Sequence, residues 1–379
     1  MSSEMQAVAV GWQIYDITHR PLDLGLAGLA QFLPGILLFP ITGHAADCYS
    51  RKRIVLASCA GYGFCSALLL VFAASGISTV YPVYAALLLN GVVRAFSGPA
   101  HQAFLPSLVN PEHFTNAVAW SSSVFQGAMV VGPMVGGAIY AVAGRALPVY
   151  AAAAAAYLSA FLLFLLIHVK IPRRATEPAS FGVVWEGLRY IRRNPLIFGA
   201  ISLDLFAVLL GGAVALLPVY ARTILNAGAF ALGALRAAPG VGAVLMAIAL
   251  AHWPLRRHAG AAMLGSVCGF GMFTIVFGLS RNLWIALFSL LVVGACDMVS
   301  VVVRHTLVQL GTPDAMRGRV SAVNMVFIGA SNEVGQFESG LTAQLLGTVP
   351  AVVAGGIGTI AVVALWAKVF PALRRAHLD

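Results

Sequence analysis

Six ionisable residues, Arg94, Asp204, Asp297, Arg304, Glu333 and Glu338, stand inside long apolar stretches of the sequence. Charge in such surroundings is costly, and it marks either a functional group or a structural pair between helices. A carboxylate held near an arginine there can take up and release a proton, which is the physical requirement for coupling proton entry to solute exit. Asp204 lies about eight residues into its stretch and Glu338 well inside another, so both are candidate proton carriers, alongside Arg94, Asp297 and Glu333. Glu333 and Glu338 are five apart and would project in different directions from one helix. Asp297 and Arg304 are seven apart, two turns along one face. Arg304 is close enough to the end of its stretch to snorkel toward the interface. For any one of these residues, an inter-helix ion pair is the alternative role.

Other chemistries find no constellation. The sequence has no HExxH, no paired catalytic carboxylates and no Gly-rich phosphate loop of Walker type, so neither an enzyme nor ATP-driven work is expected. The five cysteines, Cys48, Cys59, Cys65, Cys268 and Cys296, form no CxxC pair and lie in or beside apolar segments, so they read as small apolar side chains. No cofactor or metal is expected. Gln13, Gln126 and Asn324, with Trp12 and Trp120, are the polar and aromatic groups that could line a solute cavity. The net charge of +10 comes from short basic clusters between apolar runs, with no continuous stripe for nucleic acid.

The elements that must position these groups are membrane helices. Of the 379 residues, 60% are hydrophobic and 9% charged, against about 25% charged in a soluble domain. A bilayer-crossing helix needs ~20 mainly apolar residues, and runs such as 146–169 and 197–220 meet that length. Backbone in hydrocarbon must pair within itself, and runs this long exclude the short alternating strands of a barrel. Spans are expected near 5–18, 24–43, 54–75, 81–103, 117–143 and 147–169, then near 196–220, 229–252, 259–279, 283–309, 318–345 and 349–370. The first is short, about 21 Å of helix against a hydrocarbon core of ~30 Å. That shortness points either to a chain start lying upstream or to a defective, non-transporting protein.

The polar interval 170–195 divides the chain into an N-terminal bundle, 1–169, and a C-terminal bundle, 196–379. Within the interval, Trp185, Leu188 and Ile191 oppose Glu186, Arg189, Arg192 and Arg193, the pattern of an amphipathic helix at a membrane surface. With Arg51, Lys52 and Arg53 on the cytoplasmic side, that side collects sixteen Lys and Arg and the other five, which places both termini in the cytoplasm. Gly91, Pro111, Phe125, Gly127 and Gly144 recur as Gly294, Pro313, Phe327, Gly329 and Gly347, a faint repeat of the two halves.

Several segments carry a family resemblance. Gly43-His-Ala-Ala-Asp47-Cys-Tyr-Ser-Arg51-Lys52 resembles the loop signature between the second and third helices of major facilitator transporters, departing at Ala45, Cys48 and Ser50. The resemblance implies that Gly43, Asp47, Arg51 and Lys52 form a cytoplasmic gate latch. Arg94-Ala-Phe-Ser-Gly98 resembles the fourth-helix Arg motif associated with proton coupling. Gly127, with Gly132-Pro133-Met-Val-Gly136-Gly137, resembles the fifth-helix motif of exporters working by antiport, where it implies tight packing and a helix bend. Further segments, including 11–16, 235–242, 317–324 and 332–340, are similar to a bacterial efflux subgroup that includes enterobactin-exporter-like proteins. The resemblance covers essentially the whole chain. It implies an all-α major facilitator fold of two six-helix bundles, a monomer in the bacterial cytoplasmic membrane, and export of small organic molecules with protons as the coupling ion.

Overall fold

Apolar runs that must satisfy their own backbone fold as helices, and the computed structural model places them so. It describes residues 1–38, 41–42, 50–76, 79–104, 108–167, 181–255 and 257–376, and among these there is no strand. The first half of the chain forms α1 (Ser2–Thr18), α2 (Pro21–Leu37), α3 (Arg51–Ala74), α4 (Tyr81–Phe104), α5 (Phe114–Ala143) and α6 (Leu147–Leu166). After α7 (Phe181–Arg193) come α8 (Pro195–Leu210), α9 (Ala229–His252), α10 (Ala259–Leu279), α11 (Leu283–Leu310), α12 (Asp314–Leu346) and α13 (Thr348–Val369). Among the described residues, eight helical stretches are long and apolar enough to cross a membrane by length and composition, one of them running from Pro195 through α8 to Ile224, and α2 is a shorter apolar helix. Large apolar side chains such as Val142, Leu163, Trp284 and Phe288 face outward, which suits lipid rather than water.

Local signals explain the boundaries. The expected span at 5–18 is a helix of 17 residues, about 25 Å long at 1.5 Å per residue. It ends at His19 in the left-handed region (φ 55°), whose N–H returns to the Tyr15 carbonyl, and Pro21 opens α2. Asn194 caps α8, its Oδ1 accepting from the N–H groups of Leu196 and Ile197, and Asn282 caps α11 in the same way. Gly144 ends α5 with φ 67°.

The seventh span differs from the expected unbroken helix over 196–220. α8 stops at Leu210, Gly211 and Gly212 interrupt it, and a 3-10 turn (Ala213–Leu216) and a π turn (Tyr220–Ile224) carry the chain onward. The interruption sits where backbones crowd: a Cβ on Gly212 would lie 3.0 Å from the Gly335 carbonyl oxygen, and one on Gly335 would lie 2.9 Å from that of Leu209.

The chain divides into two compact units, Met1–His19 with Leu29–Ser180, and Arg20–Gly28 with Phe181–Asp379. In the first, α3 packs on α4 and α6, and α1 on α5 and α6. In the second, α11 packs on α9 and α10, α13 on α10, and α12 on α7, α8 and α13. Residues Arg20–Gly28 join the second unit because Gly25 and Gly28 admit α12: a Cβ on Gly25 would stand 3.0 Å from the Phe337 Cα.

Candidate functional site

The second unit brings together four of the intramembrane polar groups. Asp204 lies in the third turn of α8, and Asp297, Ser300 and Arg304 follow one another along one face of α11. Arg304 Nη2 stands 3.3 Å from Asp204 Oδ2. Arg304 Nη1 donates to Asn324 Oδ1 of α12 at 2.8 Å, and Ser300 Oγ donates to Asp204 Oδ1 at 3.3 Å. One guanidinium therefore ties three helices. Arg304 does not snorkel: it is 2% exposed, with Asp204 at 6% and Asn324 at 4%. The sequence alone could not show that its face meets α8 and α12 rather than lipid.

Asp297 completes the cluster differently. It lines a small cavity with Asp204, Ser300, Cys296, Val267 and Phe270, with room for about one water. It has no hydrogen-bond or ion-pair partner among the described residues. The charges acting on it are Asp204 and Arg304. Arg304 has its own deficit, since its buried Nε–H finds no acceptor among the described residues.

The remaining candidates lie elsewhere. Glu338 accepts from Thr342 Oγ1 at 2.7 Å and Glu333 from Gln336 Nε2 at 3.1 Å, in both cases from within α12. Gln13 accepts from Tyr150 Oη at 2.6 Å, a link between α1 and α6, while Gln126 is half-buried on α5. Arg94 lies near Tyr62 of α3. A polar link missed by the sequence reading joins Ser66 Oγ to Gln6 Oε1 at 2.7 Å, both side chains buried. Two polar residues in separate apolar runs were the available signal.

Of the gate signature, Gly43 and Asp47 lie outside the described residues. Arg51 and Lys52 open α3, whose N-cap is Ser50, the position at which the family pattern has glycine; its Oγ accepts from the Arg53 N–H. Lys52 reaches to the end of α6, donating to the carbonyls of Leu165 (3.2 Å) and Ile167 (2.7 Å), the favoured place for a cation. In the fifth-helix motif, Gly132 and Gly136 seat α1. A Cβ on Gly136 would lie 2.7 Å from the Met5 carbonyl oxygen and one on Gly132 2.6 Å from Glu4 Cβ, whereas one on Gly127 would meet nothing within 4 Å. Pro133 and Gly137 are buried beside them, and α5 runs through the motif without a break.

A larger apolar cavity of about 370 Å³ lies between α3 and α4, bordered by Arg53, Ser58 and Phe96. It includes none of the candidate coupling acids. No group of three His, Cys, Asp or Glu among the described residues is placed to hold a metal.

An all-helical chain of two units with buried charge in its apolar helices suits a membrane transporter, and comparison with known proteins decides the family. The family profile described as transmembrane secretion effector matches residues 1–377. The chain belongs to this family of the major facilitator superfamily. It is 26% identical over 345 residues to the uncharacterised transporter YfiS of Bacillus subtilis, covering 88% of this chain and 81% of the relative. It is 26% identical over 381 residues to the enterobactin exporter EntS of Escherichia coli O81, covering 99% and 90%. Among solved structures, a bacterial homologue of the iron transporter ferroportin in an inward-facing state aligns with TM-score 0.72 at 15% identity, covering 99% of this chain and 95% of that one. The nucleoside transporter NupG aligns with TM-score 0.67 at 13% identity, covering 99% and 98%. This secretion-effector family member is thus an integral membrane transporter with the all-α major facilitator fold.

Proposed function

We propose that the protein exports small organic molecules across the bacterial cytoplasmic membrane in exchange for protons, by alternating access of its two bundles. The observation that carries the coupling is the buried set of Asp204, Arg304 and Asn324 with the additional acid Asp297. Charge at such depth is costly unless it is used or paired, and this set holds one acid more than its pair requires. The direction and substrate class rest on the family description and on the enterobactin exporters among the relatives, an argument by analogy. A drug-like compound or a siderophore-like metabolite such as the enterobactin of those relatives is the substrate class this supports.

The bias of basic loop residues supports a cytoplasmic location for both termini. The interval 170–195 then acts as a cytoplasmic linker between bundles 1–169 and 196–379, Gly43, Asp47 and Arg51 as the gate latch, and the monomer as the working unit. The test is transport into inverted membrane vesicles, whose lumen corresponds to the cell exterior. With an acid lumen, enterobactin or a cationic dye should accumulate inside, and collapsing the pH gradient with nigericin should abolish accumulation. Transport that ignores the gradient rules out proton antiport.

A further inference from the structure

Two unmatched polar groups lie two turns apart on one face of α11. Arg304 is almost wholly buried, and its Nε–H lacks an acceptor among the described residues. Asp297, two turns earlier on the same face, has no donor among the described residues. Side chains on a helix lean toward its N-terminus, so Arg304 leans toward Asp297 and Ser300. The seven-residue separation is a rise of about 10.5 Å, which a long arginine and a shorter aspartate together can largely close.

Charge counting gives the same answer. Asp204 and Asp297 are two carboxylates against one guanidinium. Asp204 is the sole ionisable residue of α8, and α10 contributes only the thiol of Cys268. α9 carries Arg236 and the terminal His252, α13 carries Lys368 in its last turn, and α12 meets the cluster through the neutral Asn324. On α11 itself, His305 acts on Asp204, and Cys296 is the neighbour of Asp297. The charges that act on Asp297 are Asp204 and Arg304, which leaves one negative charge uncompensated. A cavity with room for about one water admits no organic ion. With both Asp204 oxygens engaged by Arg304 and Ser300, it offers too few free oxygens to coordinate a metal cation. The balancing cation is therefore assigned as a proton.

We propose that Asp297, and neither Asp204 nor Glu338, carries the exchanged proton, with Arg304 passing from Asp204 to Asp297 when that proton leaves. In one state Asp297 is a neutral carboxylic acid and Arg304 holds Asp204. In the other, the O–H bond of Asp297 breaks, its electron pair stays on the carboxylate, and the proton passes to a water molecule entering the cavity. The Arg304 Nε–H then has its acceptor, and Ser300 retains Asp204. Because Arg304 also holds Asn324 of α12, its move transmits the protonation state to a third helix.

This assignment rests on the proton-antiport reading, and its test needs no substrate. Purified full-length protein, labelled with 13C at the aspartate carboxyl groups, is followed by infrared spectroscopy as pH is varied. A protonated-aspartate C=O band should be present at neutral pH and lost on alkalinisation. It should persist in Glu338→Gln, vanish in Asp297→Asn, return in Asp297→Glu only when glutamate is labelled instead, and be lost at lower pH in Asp204→Asn, where Arg304 is free to pair with Asp297. A band that survives in Asp297→Asn, or wild-type protein without one, overturns the assignment. If Asp297→Asn does not fold, the Asp297→Glu transfer of the band between labels decides alone. Failure of antiport itself shows separately, as gradient-independent transport in vesicles.

Discussion

Arg304 and Asp204 stand 3.3 Å apart with side chains only 3% and 8% exposed, so neither charge has water to fall back on. Removing one member of such a pair strands the other, at a cost of about 3–5 kcal/mol, while removing both is far milder. Arg304→Gln, which strands Asp204, should therefore lower the thermal midpoint of the detergent-solubilised protein strongly, and by more than Asp204→Asn, which leaves Arg304 with Asp297 as a partner. Asp204→Asn with Arg304→Gln should recover most of the loss. A double variant less stable than either single one would mean that the two charges do not act as a pair.

The sequence showed the helices well and their neighbours poorly. Hydropathy runs located α9 and α10 at the residues where the structure has them, because span length is a property of the chain and the bilayer. The heptad spacing of Asp297 and Arg304 likewise announced a shared face. That Asp204, 100 residues before Arg304, would meet that face is a tertiary fact with no local signature. The break at Gly211 and Gly212 stayed hidden because apolar residues continue past it, and its cause is the approach of Gly335 from α12.

Close backbone approach makes a second prediction. Gly294 of α11 packs on the Pro239 backbone and Gly242 of α9 on the Leu291 carbonyl, each so tightly that a methyl group could not be placed without moving a helix. Gly294→Ala and Gly242→Ala should each cost about 1–3 kcal/mol, the usual range for overpacking. Gly127→Ala, where nothing lies within 4 Å, should be neutral or slightly stabilising, since alanine favours helix over glycine by about 1 kcal/mol. Thermal unfolding of the three variants side by side distinguishes a packing seam from a general intolerance of glycine replacement.

The fifth-helix motif is predicted to work as a seat for α1. Gly136→Ala would place its methyl 2.7 Å from the Met5 carbonyl oxygen, and the rigid backbone there cannot yield as a side chain would. The expected outcome is a loosened α1: amide exchange should rise at residues 2–12 and remain unchanged in α9 and α11. Unaltered exchange in α1 would show that its contact with α5 is more forgiving than the geometry states.

The docking of α7 should depend on packing more than on charge. Its Glu186 pairs with Arg319 of α12, but the two side chains are 55% and 36% exposed, and such pairs contribute about 0–1 kcal/mol. Beneath them, Ile191 is fully buried against Ile197, Val308, Val320 and Val323. Gly187 lets α7 approach until a Cβ there would lie 2.6 Å from the Arg319 carbonyl oxygen. Glu186→Gln should leave α7 in place, whereas Ile191→Ala should cost about 2–5 kcal/mol, and Gly187→Leu should lift the helix. Trypsin cleavage at Arg189, Arg192 and Arg193 reads the difference: slow in the wild type and Glu186→Gln, fast in the other two. Rapid cleavage of Glu186→Gln would transfer the anchoring role to the ion pair.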